Sequence, residues 1–237
     1  MSLLGGILGF CHWLLNLVSS LVLQLRLFSL SKHRLSLGPS AQSDLEELAF
    51  LLVNQDRFLQ AELIYRQLIK HGTRNSIVYG NLAAICAIQG RSGELIELLR
   101  HALRLKPDYP DAYYNLGVAL KDQGDINGAI TSYNKAIAEN TSQPEVFNNL
   151  GVILQEQGDL NAAILNYFKA IELNPNFAEA HNNLGNSFKQ KRNFTAAIKF
   201  YRRAAELQPD SLDFKNNINS TLIEQACFSM RESTFKF

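Results

Sequence analysis

Apolar residues recur along most of the chain at positions i, i+3, i+4 and i+7, which is the spacing of one face of an α-helix. One such face consists of Tyr113, Leu116, Gly117 and Leu120. Gly124 follows it and is expected to end that helix, and Asp125 has a side chain suited to cap the next one. The next face consists of Ala129, Tyr133 and Ala136. This pattern predicts pairs of short amphipathic helices joined by tight turns.

The helix pairs repeat at a period of 34 residues. Leucines mark the period at Leu82, Leu116, Leu150 and Leu184, each followed by Ala or Gly. The register predicts five full units, at 42–75, 76–109, 110–143, 144–177 and 178–211. A final half unit at 212–224 is expected to be a capping helix, and 225–237 a flexible tail.

Proline closes three of the five units, because it cannot continue a helix. These prolines are Pro107, Pro175 and Pro209. Units one and three instead have Thr73 and Thr141 at this position.

The run at 112–117, followed by Gly124, Asp125 and the small-large-small face of the second helix, resembles the tetratricopeptide repeat (TPR). The resemblance extends from residue 42 to about residue 224. It implies an all-α solenoid of helix-turn-helix units wound into a right-handed superhelix, with the first helix of each unit lining an inner groove. Since each unit leaves an apolar face uncovered, its stability depends on stacking against neighbouring units.

One position of the predicted inner groove is occupied by asparagine in successive units. We call this set the Asn ladder, and it consists of Asn81, Asn115, Asn149, Asn183 and Asn217. A primary amide can pair with both the N–H and the C=O of a peptide backbone. The ladder resembles the one in the repeat domain of O-linked N-acetylglucosamine transferases, which implies binding of an extended polypeptide. The alternative is that each asparagine merely bonds to a neighbouring helix.

The first 25 residues contain no Asp, Glu, Lys or Arg, and residues 3–25 are strongly apolar. As a helix this stretch would span a hydrocarbon core of about 30 Å. Arg26, Lys32 and Arg34 follow it, which predicts that the repeats face the cytosol. We therefore expect residues 1–30 to form a hydrophobic N-terminal helix and single-pass membrane anchor, and residues 31–41 to form a basic linker.

Other interpretations of this segment stay open. It could be a helix lying in the membrane plane, a cleaved signal or transit peptide, or an extra helix packed on the first repeat. Gly5 and Gly9 form a small-xxx-small pair that would allow a weak homodimer of two spans.

Composition narrows the function further. The formal net charge is +1, which gives no reason to expect nucleic acid as a partner. No Gly-rich phosphate loop, metal-ligand spacing or catalytic constellation is present, so we expect no enzyme, cofactor or metal. Five 34-residue units also leave no room for a catalytic domain among these residues. The sequence thus predicts a membrane-anchored TPR scaffold that binds a protein partner. The alternative is a substrate-recruiting subunit that acts with a separate, O-GlcNAc-type catalytic partner.

Overall fold

The computed structural model describes residues 38–234, and this range is all α-helical. The eleven helices in it are α1 (Pro39–Asn54), α2 (Phe58–Lys70), α3 (Ser76–Ile88), α4 (Ser92–Leu105), α5 (Pro110–Asp122), α6 (Ile126–Ala138), α7 (Pro144–Glu156), α8 (Leu160–Leu173), α9 (Ala178–Gln190), α10 (Phe194–Leu207) and α11 (Leu212–Thr234). Helices α3, α5, α7, α9 and α11 begin at the first residues of the predicted units. The all-α TPR architecture is therefore confirmed.

The chain divides after Lys106 into two compact parts, which we call the first and the second unit; the 34-residue helix pairs are called repeats from here on. In the first unit, α1 packs on α2, α2 on α3, and α3 on α4. In the second unit, consecutive helices from α5 to α11 pack in the same way, and α7 also contacts α9. Each unit is thus a stack of antiparallel helical hairpins whose apolar faces cover one another.

The turn inside each hairpin requires one residue with a positive φ angle. Gly124 and Gly158 have φ values of 83° and 87°, a region that glycine enters without steric cost. The carboxylates of Asp125 and Asp159 then accept hydrogen bonds from the backbone N–H three residues later, at 2.9 and 3.0 Å. The predicted helix stop at Gly124 and the predicted N-cap at Asp125 are both confirmed.

The threonines that replace proline make a specific turn. Thr73 and Thr141 each accept a hydrogen bond from the backbone N–H two residues later, at 3.2 Å in both cases. Thr73 is buried and also accepts a bond from Gln42 Nε2 at 2.6 Å. In these two repeats the threonine hydroxyl thus accepts a backbone N–H of the turn that follows the second helix. Helices α4, α8 and α10 instead each end two residues before a proline.

Small residues of the first helix make room for large ones of the second. A Cβ atom placed on Gly117, Gly151 or Gly185 would lie 2.5–2.7 Å from a tyrosine ring carbon of the same hairpin. The tyrosines concerned are Tyr133, Tyr167 and Tyr201, all fully buried. Glycine at this crossing lets the two helix backbones approach closely enough to enclose the ring.

The structure describes the predicted capping helix but not the predicted N-terminal anchor. The anchor at 1–30, with Gly5 and Gly9, lies outside the described residues, as does most of the linker. No helix within residues 38–234 combines the length and the apolar character needed to cross a bilayer. Helix α11 continues to Thr234, beyond the predicted end of the capping helix at 224, because the sequence after Glu224 contains neither Gly nor Pro to stop it.

Candidate functional site

Four residues of the Asn ladder lie on the first helices of the second unit. Asn115 is on α5, Asn149 on α7, Asn183 on α9 and Asn217 on α11. Asn115 is exposed, and the other three are partly exposed. Hydrogen bonds join α7 to α9 and α9 to α11, and Tyr114 of α5 lies close to Asn149 of α7. We call the surface that these four helices share the first-helix face.

Two ladder amides connect successive first helices at a fixed register of 35 residues. Asn183 Nδ2 donates to Asn148 Oδ1 at 3.0 Å, and Asn217 Nδ2 donates to Asn182 Oδ1 at 2.9 Å. Asn149 stands at the equivalent position, close to the Tyr114 hydroxyl. Each amide therefore reaches the residue that stands just before the ladder position in the previous repeat.

These bonds leave part of each amide unused. An asparagine side chain offers two N–H donors and one carbonyl acceptor. The bond from Asn183 to Asn148 uses one N–H and fixes the orientation of the Asn183 amide. Its second N–H and its Oδ1 are not used by that bond, and together they match the C=O and N–H of an extended backbone. Asn183 and Asn217 are thus held in place and can still pair with a polypeptide.

The buried tyrosines of the second helices reach the same face. Tyr167 donates its hydroxyl to Gln155 Oε1 at 2.9 Å, and Tyr201 donates to Asn186 Oδ1 at 2.7 Å. Burial raises the pKa of both phenols, that of Tyr201 to about 12, so both stay neutral hydrogen-bond donors at physiological pH. These two hydrogen bonds connect polar side chains of the face to buried tyrosines of the core.

Tyr133 differs from the other tyrosines at its position. Its side chain is fully buried, and its hydroxyl has no hydrogen-bond partner of standard geometry. The hydroxyl lies near Tyr114 and Asn149. Burial, the largest effect, raises the pKa of Tyr133, and the neighbouring Asn149 amide lowers it less. An unpaired buried hydroxyl is costly, and this one points toward the first-helix face.

Asn81, the ladder residue of the first unit, has a different partner. Its Nδ2 donates to the Tyr65 hydroxyl at 3.0 Å. Burial raises the pKa of Tyr65, and the bond from Asn81 opposes that rise. Asn81 thus connects α3 to the second helix of the preceding hairpin.

The sequence did not predict Asn148 and Asn182 as the acceptors that orient the ladder. The signal that could have identified them is the pairing of amides 35 residues apart, at 148 with 183 and at 182 with 217. Both members of each pair are asparagines, so the repeat period of 34 residues does not by itself show which two amides form a hydrogen bond.

The fold and the face together define a class of protein, the helical-hairpin repeat proteins that present a polar surface on their first helices. Residues 85–124, 119–158 and 153–192 match the family model described as TPR repeat, and residues 178–211 match that of the tetratricopeptide repeat. The chain belongs to the tetratricopeptide-repeat family. No curated protein matches the sequence significantly.

Solved structures share the fold at low sequence identity. A structure of the protein MamA is 25% identical over 68% of this chain and 94% of its own, with a TM-score of 0.63. YrrB, described as a TPR protein with an unusual peptide-binding site, is 22% identical over 73% and 89%, with a TM-score of 0.63. PilF from Pseudomonas aeruginosa is 17% identical over 78% and 90%, also with a TM-score of 0.63. Because 424 solved chains match, the fold alone does not select a partner.

Proposed function

We propose that this protein is a non-catalytic TPR scaffold that binds an extended polypeptide on its first-helix face. The observation that carries the proposal is the Asn ladder of the second unit. In it, neighbouring side chains orient Asn183 and Asn217, and the orienting bond leaves one N–H and the carbonyl oxygen of each amide unused. Such amides bind backbone groups and demand little of the partner's side chains. The likeness to YrrB, whose description names a peptide-binding site, supports the same class of partner.

The test is peptide binding by the full chain, measured by fluorescence anisotropy with a labelled pool of unstructured 15-residue peptides. The triple variant Asn115→Ala, Asn149→Ala, Asn183→Ala should bind the pool more weakly. Loss of about 1 kcal/mol per hydrogen-bonding amide predicts a total weakening on the order of a hundredfold. Unchanged binding by a folded triple variant would refute the proposal.

A matched pair of single variants separates binding from stability. Asn115 lies on α5 and Asn134 lies on α6 of the same hairpin, and both are exposed. Neither asparagine bridges two helices in the described residues, so Asn115→Ala and Asn134→Ala should unfold alike. Only Asn115→Ala should weaken peptide binding. Equal affinities for the two variants would place the binding surface elsewhere.

We propose further that residues 1–30 anchor the scaffold in a membrane, with the repeats on the cytosolic side, where it assists assembly of a membrane complex. The support is the uncharged apolar run at 3–25 with its basic flank. Alkaline carbonate should leave the full chain in the membrane fraction, whereas the variant Leu14→Lys, Leu21→Lys should be released. Two lysines in the hydrocarbon cost about 5–7 kcal/mol. Release of the unmodified chain would rule out a span.

A second candidate function is recruitment of substrates to a separate catalytic subunit, which the Asn ladder also fits. Affinity capture from native membranes distinguishes the two functions. A glycosyltransferase retained by the unmodified chain but not by the triple asparagine variant would favour recruitment. Subunits of a membrane complex retained in the same pattern would favour assembly.

A further inference from the structure

Charge is distributed unequally between the two helices of each hairpin in the second unit. The first helices α5, α7 and α9 contain five acidic residues and two basic ones. The second helices α6, α8 and α10 contain five basic residues and two acidic ones. Charge of opposite sign on opposite sides of a repeat stack gives each side its own class of partner.

The acidic residues of the first helices lie on the same stripe as the Asn ladder. In α7, Glu145, Asn149 and Glu156 are separated by four and seven residues, which places them on one helical face. The corresponding residues are Asp111, Asn115 and Asp122 in α5, Glu179 and Asn183 in α9, and Asp213, Asn217 and Glu224 in α11. Two rows of carboxylates therefore flank the row of amides.

Nearby basic groups do not neutralise most of these carboxylates. Lys189 on the same face forms an ion pair with Glu224 at 2.7 Å and a hydrogen bond to Ser220 at 3.3 Å. Among the described residues, none of the other flanking acids takes part in an ion pair; these are Asp111, Asp122, Glu145, Glu156, Glu179 and Asp213. All six are exposed, so the face presents uncompensated negative charge on both sides of the ladder.

Helix electrostatics explain only one of the two rows. An acid in the first turn stabilises a helix through the macrodipole, which accounts for Glu145 and its equivalents. Asp122 and Glu156 are the last residues of α5 and α7, where the macrodipole disfavours negative charge. These two carboxylates cost helix stability and need another explanation.

The hydroxyl of Tyr133 is a second, independent feature of the face at α5 and α7. It is buried and has no hydrogen-bond partner of standard geometry, and Tyr114 and Asn149 lie close to it. The equivalent hydroxyls of Tyr167 and Tyr201 have partners on the face. At α5 and α7 the face therefore covers a buried polar group that no standard hydrogen bond satisfies.

We propose that the polypeptide bound on the first-helix face is a basic one, an extended segment in which lysine or arginine side chains flank the backbone held by the amides. This inference rests on the proposed function and specifies its partner class. The side chains of an extended segment point alternately to opposite sides, so its cations reach both carboxylate rows while its backbone pairs with the amides between them. Charge complementarity then selects the partner, and the amides hold it.

The experiment compares three labelled 16-residue peptides on the full chain, with alternating Gly-Lys, Gly-Ser and Gly-Glu sequences. The Gly-Lys peptide should bind about tenfold more tightly than Gly-Ser, since several exposed ion pairs each contribute a small factor, and Gly-Glu should bind most weakly. The advantage of Gly-Lys should shrink as salt rises. Equal affinities for the three peptides would overturn the basic-partner inference.

Charge variants test the location of the effect. The variant Glu145→Gln, Glu156→Gln should lose several-fold affinity for Gly-Lys and none for Gly-Ser. The matched control Glu172→Gln, Glu206→Gln removes the same charge from α8 and α10 and should leave both affinities unchanged. Equal losses in the two variants would refute a site on the first-helix face.

The two proposals fail in distinguishable ways. The triple asparagine variant should weaken binding of all three peptides, because it removes the backbone contacts. If that result holds and Gly-Lys has no advantage, the scaffold function stands and the basic partner is wrong. If no peptide binds the unmodified chain, both proposals are wrong.

Discussion

Substitution of Gly151 by alanine tests the packing that forms each hairpin of the second unit. A Cβ atom on Gly151 would lie 2.7 Å from Cε1 of Tyr167 and 2.9 Å from its Cδ1, far inside the about 3.5–4.0 Å of an ordinary carbon contact. The ring cannot simply withdraw, because it is fully buried and its hydroxyl bonds to Gln155. The helices must therefore separate.

Two opposing effects set the size of the change. Overpacking a core costs about 1–3 kcal/mol, whereas replacing glycine by alanine inside a helix gains about 1 kcal/mol. The Gly151→Ala variant should therefore be destabilised by about 1 kcal/mol in urea denaturation. The control is Gly93→Ala in α4, where a Cβ atom meets nothing within 4 Å. This control should gain stability.

In the second repeat, the residue equivalent to Gly151 is larger and the residue equivalent to Tyr167 is smaller. Its equivalent positions hold Ala83 and Leu99, both buried at 1% exposure. Alanine at 151 should therefore be tolerated once Tyr167 is leucine. A double-mutant cycle of Gly151→Ala with Tyr167→Leu should give a favourable coupling of about 1–2 kcal/mol. Additive effects, or a Gly151→Ala variant as stable as the unmodified chain, would show that the Tyr167 ring is not the reason why position 151 requires glycine.

Three further predictions concern buried groups. Tyr167→Phe removes a hydrogen bond and should cost about 1 kcal/mol in urea denaturation, whereas Tyr133→Phe removes an unpaired hydroxyl and should cost nothing or stabilise. Burial raises the pKa of Tyr201 to about 12, above the about 10 of an unfolded tyrosine. Stability should therefore be full below pH 10 and fall as the pH rises from about 10 to 12, and less so in Tyr201→Phe. Burial also raises the pKa of the Cys86 thiol to about 11, so peptide mapping should find iodoacetamide on exposed Cys227 long before Cys86.

Local chemistry made the helix boundaries predictable from the sequence. Gly124 and Asp125 specify a turn and an N-cap through their own backbone and side-chain preferences, and the structure shows both. The termination at Thr73 could not be predicted in the same way. It depends partly on a hydrogen bond from Gln42, which precedes Thr73 by 31 residues and becomes its neighbour only after α1 and α2 have packed.

The polar face was predictable only in part for the same reason. The 34-residue period placed the Asn ladder on the first helices, but the period says nothing about bonds between repeats. The orientation of Asn183 depends on Asn148 of the previous repeat. The unpaired hydroxyl of Tyr133 depends on which side chains surround it after folding. Neither feature can be predicted from the residues that adjoin it in the sequence.

The bonds of the ladder also show why asparagine at these positions has two explanations that the sequence cannot separate. At Asn183 an alanine would leave the buried Asn148 amide without this partner, so stability alone already favours asparagine there. The same bond orients the rest of the amide for a ligand. Asn115 is different, since it is exposed and bridges no two helices in the described part of the chain. Stability gives no reason for asparagine at 115, so a binding defect in Asn115→Ala is the result that assigns the ladder a function.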